Sequence, residues 1–153
     1  MMQASDEPAI DRQLFFKAQI LFWLLGATDG HAKNFSLTLF PKGRFRLTPL
    51  YDILTLQHSV DNAQVRNSEY KMAMRVGASN KYRVNDIDGR HFVYTGKECG
   101  LSEKDIKLMF AELHDVTTEA LTKVQDNLPD DFPSELVESL INAIRSRLPR
   151  LNV

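Results

Sequence analysis

The sequence predicts a mainly α fold with one small β-hairpin. Three observations carry that reading. Residues 10–26, IDRQLFFKAQILFWLLG, bring apolar side chains back at helical spacing. Residues 102–127 and 134–148 do the same. Between them, FSLTLF (35–40) and RFRLTPL (44–50) alternate in the manner of strands and flank the turn-forming PKGR.

In chain order, the opening MMQASDEPA (1–9) is polar and small and is expected to be disordered. In the first helix Leu14, Ala18, Leu21, Phe22 and Leu25 form a stripe, and Asp11 suits the first turn, where the helix dipole favours a carboxylate. Towards its end this helix is apolar on every side, which predicts deep burial with Trp23 in the core. Gly26 is the expected stop. After the hairpin, residues 53–70 lack a period and read as a loop with a short helical turn. YKMAMRVG (70–77) is a candidate third strand, 79–89 is turn-rich, and a helix is expected over 89–99. Ser102 caps the next helix, with Asp105 in its first turn. Ile106, Met109, Phe110, Leu113, Val116, Thr117, Ala120, Leu121 and Val124 are expected to face inward. LPDDFPS (128–134) breaks that helix. Ser134 is the expected cap of the last one, with Leu136, Val137, Leu140, Ile141, Ile144 and Leu148 inward.

The chain of 153 residues reads as a single domain, long enough to bury a core without staples. Its formal net charge of −1 gives no global pull toward nucleic acid or an anionic membrane. The lone Cys99 excludes an internal disulfide and points to a reducing cytoplasm, and it reads as a small core residue on a helix. The apolar run ILFWLLGA (20–27) is far short of the ~20 residues that span a bilayer. His58, His91 and His114 are too scattered to suggest zinc. The basic RSRLPR (145–150) could touch phosphate, although a helix C-terminus favours cations in any case.

The chemistry concentrates in GATDGHAKNFSLTLFPKGRFRLTPLYD, from Gly26 to Asp52. Two hairpin registers keep apolar residues on one face. Pairing Leu39 with Leu47 sets Asn34 opposite Asp52, whereas pairing Leu39 with Phe45 sets Ala32 there. In both, Asp52 returns to within two residues of Asn34. A carboxylate and an amide oxygen can then share one hard cation such as Mg²⁺, which takes few protein oxygens beside water and phosphate. Asp29 and Asn34 lie five apart, the separation of base and metal-binding Asn in the kinase catalytic loop H-R-D-x-x-x-x-N. On that pattern Asp29 would accept a substrate proton, Asn34 and Asp52 would hold metal and nucleotide, and Lys33 could offset phosphate charge. Thr28 stands where the pattern has Arg, and YDI replaces DFG, so an ordinary protein kinase is excluded. Taken alone, Thr-Asp-Gly is also good turn chemistry. Tyr51 reads as packing, and His31 either orients the loop or takes part in the chemistry.

GATDGHAKNFSL followed by RLTPLYDIL closely resembles the HipA-type serine/threonine kinases, the toxin half of bacterial HipA/HipB-like toxin–antitoxin modules. The resemblance implies a helical kinase C-lobe with Asp29 as catalytic base, His31 in the catalytic loop, and Asn34 and Asp52 as Mg²⁺ ligands serving ATP. It implies phosphorylation of a protein hydroxyl, with aminoacyl-tRNA synthetases as targets in the family. It also implies a HipB-like helix-turn-helix antitoxin as partner, reaching DNA only through that partner. A kinase further needs an N-lobe with a loop over the phosphates and a strand lysine. The 28 residues before Asp29 offer neither, and the seven glycines make no GxG. The chain is therefore expected to be inactive, or nearly so, by itself, as an expression fragment, a truncated gene product or one part of a split kinase. The alternative is a non-catalytic module that docks an antitoxin, a substrate protein or a separate N-lobe.

Overall fold

The computed structural model describes residues 5–153. Helix α1 (Pro8–Leu25) runs through the middle. It is followed by the hairpin β1 (Leu37–Phe40) and β2 (Arg44–Leu47), then the short α2 (Gln57–Asp61). A second hairpin, β3 (Lys71–Val76) with β4 (Lys81–Arg83), leads into α3 (Gly89–Glu98), α4 (Glu103–Asp126) and α5 (Ser134–Arg147). The two sheets are separate antiparallel pairs. The mainly α architecture matches the expectation. No helix among the described residues is long and apolar enough to cross a membrane.

The apolar end of α1 forms the core. Phe16, Ile20, Trp23 and Leu24 are all completely buried, and Phe22 nearly so. These residues point around the whole helix, so α1 must be covered on all sides, by α5, β3 and α3 among others. Leu14, Leu21 and Leu25 of the expected stripe are only half-buried. Trp23 donates its indole N–H to the Val84 carbonyl at 2.9 Å, which satisfies its one polar atom inside the core. Its ring lies 5.5 Å from that of Phe92 on α3.

The expected disorder of 1–9 falls partly on residues 1–4, which lie outside the described residues; from Ser5 onward the opening segment lies against the hairpin. The cause is a polar clasp under the hairpin. Asp11 is fully buried and accepts from Ser5 Oγ, from Arg46 Nε at 3.0 Å and from the Leu47 amide at 3.2 Å. The Asp6 amide donates to the Phe45 carbonyl at 2.9 Å. Burial pushes the Asp11 carboxyl up, but the hydrogen bonds from Ser5, Arg46 and Leu47, with the Arg46 charge, outweigh it and hold the group below its ordinary value. A depressed folded-state pKa means that the stabilisation is complete above the unfolded value of about 3.9 and is lost as pH falls through the folded one. Asp11→Asn is expected to lose about 3 kcal/mol at neutral pH. Urea melts at pH 6 and pH 3 check this: the gap between variant and parent should narrow at the lower pH.

Leu39 pairs with Phe45 and Leu37 with Leu47, the second of the two registers the sequence left open. The turn Pro41–Gly43 uses left-handed backbone at Lys42 as well as at Gly43.

Three further expectations are corrected. Residues 81–83, read as turn, form β4. The cap of α5 is Pro133, with Ser134 already inside the helix. In α4 only Ile106, Met109 and Phe110 are buried; Leu113, Thr117 and Leu121 are half-buried, and Val116 and Val124 are 57% and 51% exposed, so among the described residues the cover thins along the helix. Leu136 of α5 is likewise exposed. Ser102 does cap α4, accepting from the Asp105 amide at 3.1 Å.

Candidate functional site

Two irregular segments carry the residues singled out by sequence. The first leaves α1 at Gly26 and passes through Asp29 and His31 into a short 3-10 turn, Ala32–Asn34. The second leaves β2 after Leu47 and passes Tyr51 and Asp52 on the way to α2. Three hydrogen bonds hold them side by side. The Thr48 amide donates to the Ser36 carbonyl at 3.0 Å. The Tyr51 hydroxyl shares a 2.7 Å hydrogen bond with Ser36 Oγ and donates to the Lys33 carbonyl at 3.4 Å. Tyr51, read from sequence as packing, is thus 44% exposed and acts as the strut that sets its neighbour Asp52 alongside the Lys33–Ser36 segment. Asp52 itself is exposed and left-handed, with φ of 54°.

Within the first segment the Asp29 carboxylate is open to solvent, with its side chain 77% exposed, and its Oδ1 lies 3.5 Å from His31 Nε2. His31 Nδ1 is buried without a hydrogen-bond partner. Asn34 is 8% exposed, and its Oδ1 accepts from the His31 amide at 3.3 Å, so the amide oxygen is oriented by the loop it belongs to. Lys33 is exposed, with its carbonyl engaged by Tyr51. The set Asp29, His31, Lys33 and Asn34 therefore sits on one turn, and Asp52 is returned to it by the second segment.

Among the described residues no group of three or more His, Cys, Asp or Glu could hold a metal ion. A cation here would rest on one carboxylate and one amide oxygen. That hard-oxygen pair suits Mg²⁺, which usually keeps several waters and takes phosphate oxygens for the rest of its shell.

The other ends of the two segments meet at a buried polar cluster that sequence reasoning missed. Arg147 of α5 is 4% exposed and donates from Nη1 to the Leu24 carbonyl at 2.9 Å. From Nη2 it donates to Gln57 Oε1 and, at 3.0 Å, to Tyr70 Oη. The Tyr70 hydroxyl donates to Gln57 Oε1 at 2.8 Å. Burial lowers the guanidinium's pKa from its ordinary value and raises that of the Tyr70 phenol. Beside this cluster the Thr55 hydroxyl donates to the Leu25 carbonyl and the Leu56 amide to the Gly26 carbonyl. The basic tail thus serves internal contacts: Arg150 also turns inward, onto the Asn85 and Ile87 carbonyls. The only available signal was an unusual one, an arginine at i+3 from Ile144 and i+6 from Ile141 on the apolar face of its helix.

Elsewhere, Phe15, Gln19, Met74, Tyr82, Glu98 and Cys99 help line a cleft of about 640 Å³ between α1, α3 and the second hairpin. Cys99 is half-buried at the C-terminal cap of α3, and burial pushes its thiol up.

Comparison with known proteins bears on the family and the fold. The model of the HipA-like C-terminal domain matches residues 1–121. A protein of Sinorhizobium fredii (strain NBRC 101917 / NGR234), described as "Putative kinase Y4mE", is 28% identical over 156 residues, covering 100% of this chain and 35% of its own length. Among solved structures, a chain of the Shewanella oneidensis MR-1 toxin–antitoxin complex of HipA, HipB and its operator DNA superposes with a TM-score of 0.75. That match has 18% identity and covers 99% of this chain and 35% of the other, so it speaks for the fold. This chain spans about a third of the length of these relatives. By its sequence match over most of its length, it belongs to the HipA-like C-terminal domain family.

Proposed function

We propose that residues 26–52 form the catalytic and metal-binding half of a protein serine/threonine kinase site that uses Mg²⁺ and ATP. The observation that carries the reading is the return of Asp52, on the Tyr51 strut, to the turn that holds Asp29 and Asn34. Asp29 is the general base. Its exposed carboxylate is free to accept the proton of a serine or threonine hydroxyl as that oxygen attacks the γ-phosphate, and His31 beside it holds its orientation. Asn34 and Asp52 hold Mg²⁺, which when bound spreads the charge of the phosphate oxygens. Lys33 adds a cation at the same turn. Phosphoryl transfer also needs groups covering the other side of the nucleotide, which the family's longer members have room to supply, so this chain by itself transfers phosphate poorly. A HipB-like antitoxin is the partner, DNA is reached through it, and a cytoplasmic protein such as an aminoacyl-tRNA synthetase is the acceptor; these rest on resemblance alone.

A second reading, a non-catalytic docking module, is favoured by one observation. Leu39 and Leu54, on the hairpin and on the segment after Asp52, are 77% and 69% exposed. Apolar groups at that exposure suit a surface that another chain covers.

Titration of the chain with Mg²⁺ and ATP, followed by amide NMR, tests the first reading. Saturable shifts at Asn34 and Asp52 that require both Mg²⁺ and the Asp52 carboxylate are expected, and Asp52→Ala should abolish them. A folded protein with no shifts at millimolar nucleotide would favour the docking module instead.

A further inference from the structure

Arg147 is a buried cation whose direct hydrogen-bond partners are a backbone carbonyl, an amide and a phenol, with the Asp61 carboxylate acting on it from beyond Gln57. Its guanidinium also lies over the Tyr70 ring, 5.6 Å from the centroid. Such a group is a poor way to fill space. Replacing buried charges with apolar residues of similar volume is often neutral or stabilising, because the desolvation cost disappears. What a guanidinium adds is direction, since its planar fork fixes several acceptors relative to one another. Here two of those acceptors flank the two segments of the candidate site, Leu24 in the last turn of α1 and Gln57 at the start of α2, and the third, Tyr70, precedes β3. Leu24 lies five residues before Asp29, and Gln57 lies five residues after Asp52. The remaining contacts close the frame. Tyr70 Oη stands where a Cβ on Gly26 would be, 1.7 Å away, so the start of the first segment is pressed against the cluster. Gln57 Nε2 donates to Asp61 at 2.8 Å, and Ser139 of α5 donates to the same carboxylate.

We propose that Arg147 is a positioning residue for the candidate site. It locks the start of the Asp29 loop to the end of the Asp52 loop, while the Tyr51 strut locks their other ends. Arg147 touches no reacting atom. It acts by fixing the distance between two loops that share no regular backbone ladder at this end. Metal and phosphate sites tolerate displacements of only about 0.5 Å, so a loosened frame disperses the ligands without unfolding the protein. The link to metal and nucleotide rests on the kinase reading above; the locking of the loops does not.

The test compares Arg147→Met, Arg147→Lys and Ile144→Ala with the parent chain. Ile144 is buried on the same helix, so its truncation loosens α5 through packing alone. Three quantities are read: the melting temperature, the amide shifts of residues 26–34 and 52–57, and the apparent Kd for ATP with Mg²⁺. In Arg147→Met the amides of both segments are expected to shift or broaden together and Mg-ATP binding to weaken at least tenfold, at a melting temperature lowered by no more than that of Ile144→Ala. Arg147→Lys should recover part of the affinity. Ile144→Ala should lower the melting temperature while leaving both segments and the Kd as they were. Parent-like shifts in both segments of Arg147→Met would overturn the proposal, as would equal disturbance by Ile144→Ala. If the parent chain does not respond to Mg-ATP, the kinase reading fails, and the amide shifts of the ligand-free variants still decide whether Arg147 locks the loops. Should Arg147→Met not fold, Tyr70→Phe, which removes one acceptor and keeps the ring, carries the same comparison.

Discussion

Replacing Gly26 with alanine is expected to cost about 3–5 kcal/mol, a large share of the stability of an ordinary domain. Two penalties add. The residue ends α1 with φ of 65°, a left-handed conformation that costs a side chain about 1–2 kcal/mol. The new methyl would also lie 1.7 Å from Tyr70 Oη and 3.3 Å from Arg147 Nη1. Neither neighbour can retreat, since each is held by hydrogen bonds inside the buried cluster. Gly43 separates the two penalties. It has φ of 75° but no atom within 4 Å of its would-be Cβ, so Gly43→Ala should show the conformational cost alone, about 1 kcal/mol. Denaturant melts of the two variants measure the difference, and coincident midpoints would show that the crowding at Gly26 has been misread.

Asp29→Ala carries the largest expected effect on chemistry. General-base catalysis typically contributes a hundred- to ten-thousand-fold, and loss of the base should reduce phosphoryl transfer by about that factor. The assay combines this chain with a polypeptide that supplies a phosphate-covering loop and a strand lysine, and follows labelled phosphate onto a protein acceptor. Folding should not change, because the Asp29 side chain is 77% exposed and its Oδ1 stands 3.5 Å from His31 Nε2. Mg²⁺-dependent nucleotide binding should also survive, since Asn34 and Asp52 remain. Transfer that persists in Asp29→Ala would remove this residue from the base role. Transfer that never appears, with the two polypeptides folded and associated, would favour the docking module.

The helices were legible because local spacing governs them. The all-round apolar character of residues 20–25 correctly marked the most buried stretch, and Ser102 with Asp105 marked a real cap. The GATDGHAKN turn and the returning Asp52 were legible for a similar reason: both candidate registers bring Asp52 back to the same neighbourhood. What escaped was decided by contacts far apart in sequence. The Asp11 clasp joins residues some 35 positions apart, beyond what local spacing can show. β4 is three residues among turn formers, too short for any alternation to show. In α4 the apolar spacing of Val116, Ala120 and Val124 was real, but periodicity cannot say whether a partner surface exists, and here none packs over them. Arg147 was hidden because its role is written by Leu24, Gln57 and Tyr70, which lie in three separate parts of the chain.

The hydrogen bond from Arg147 to Leu24 joins residues 123 positions apart. Contacts of that separation form late, since the intervening chain must first surrender its freedom. During synthesis the Asp29 and Asp52 segments leave the ribosome long before α5 exists, so for that interval the two loops have no lock at their shared end. The candidate site is therefore completed late although its residues are made before α5, and in a nascent chain the two loops gain their shared lock only once α5 has docked against α1.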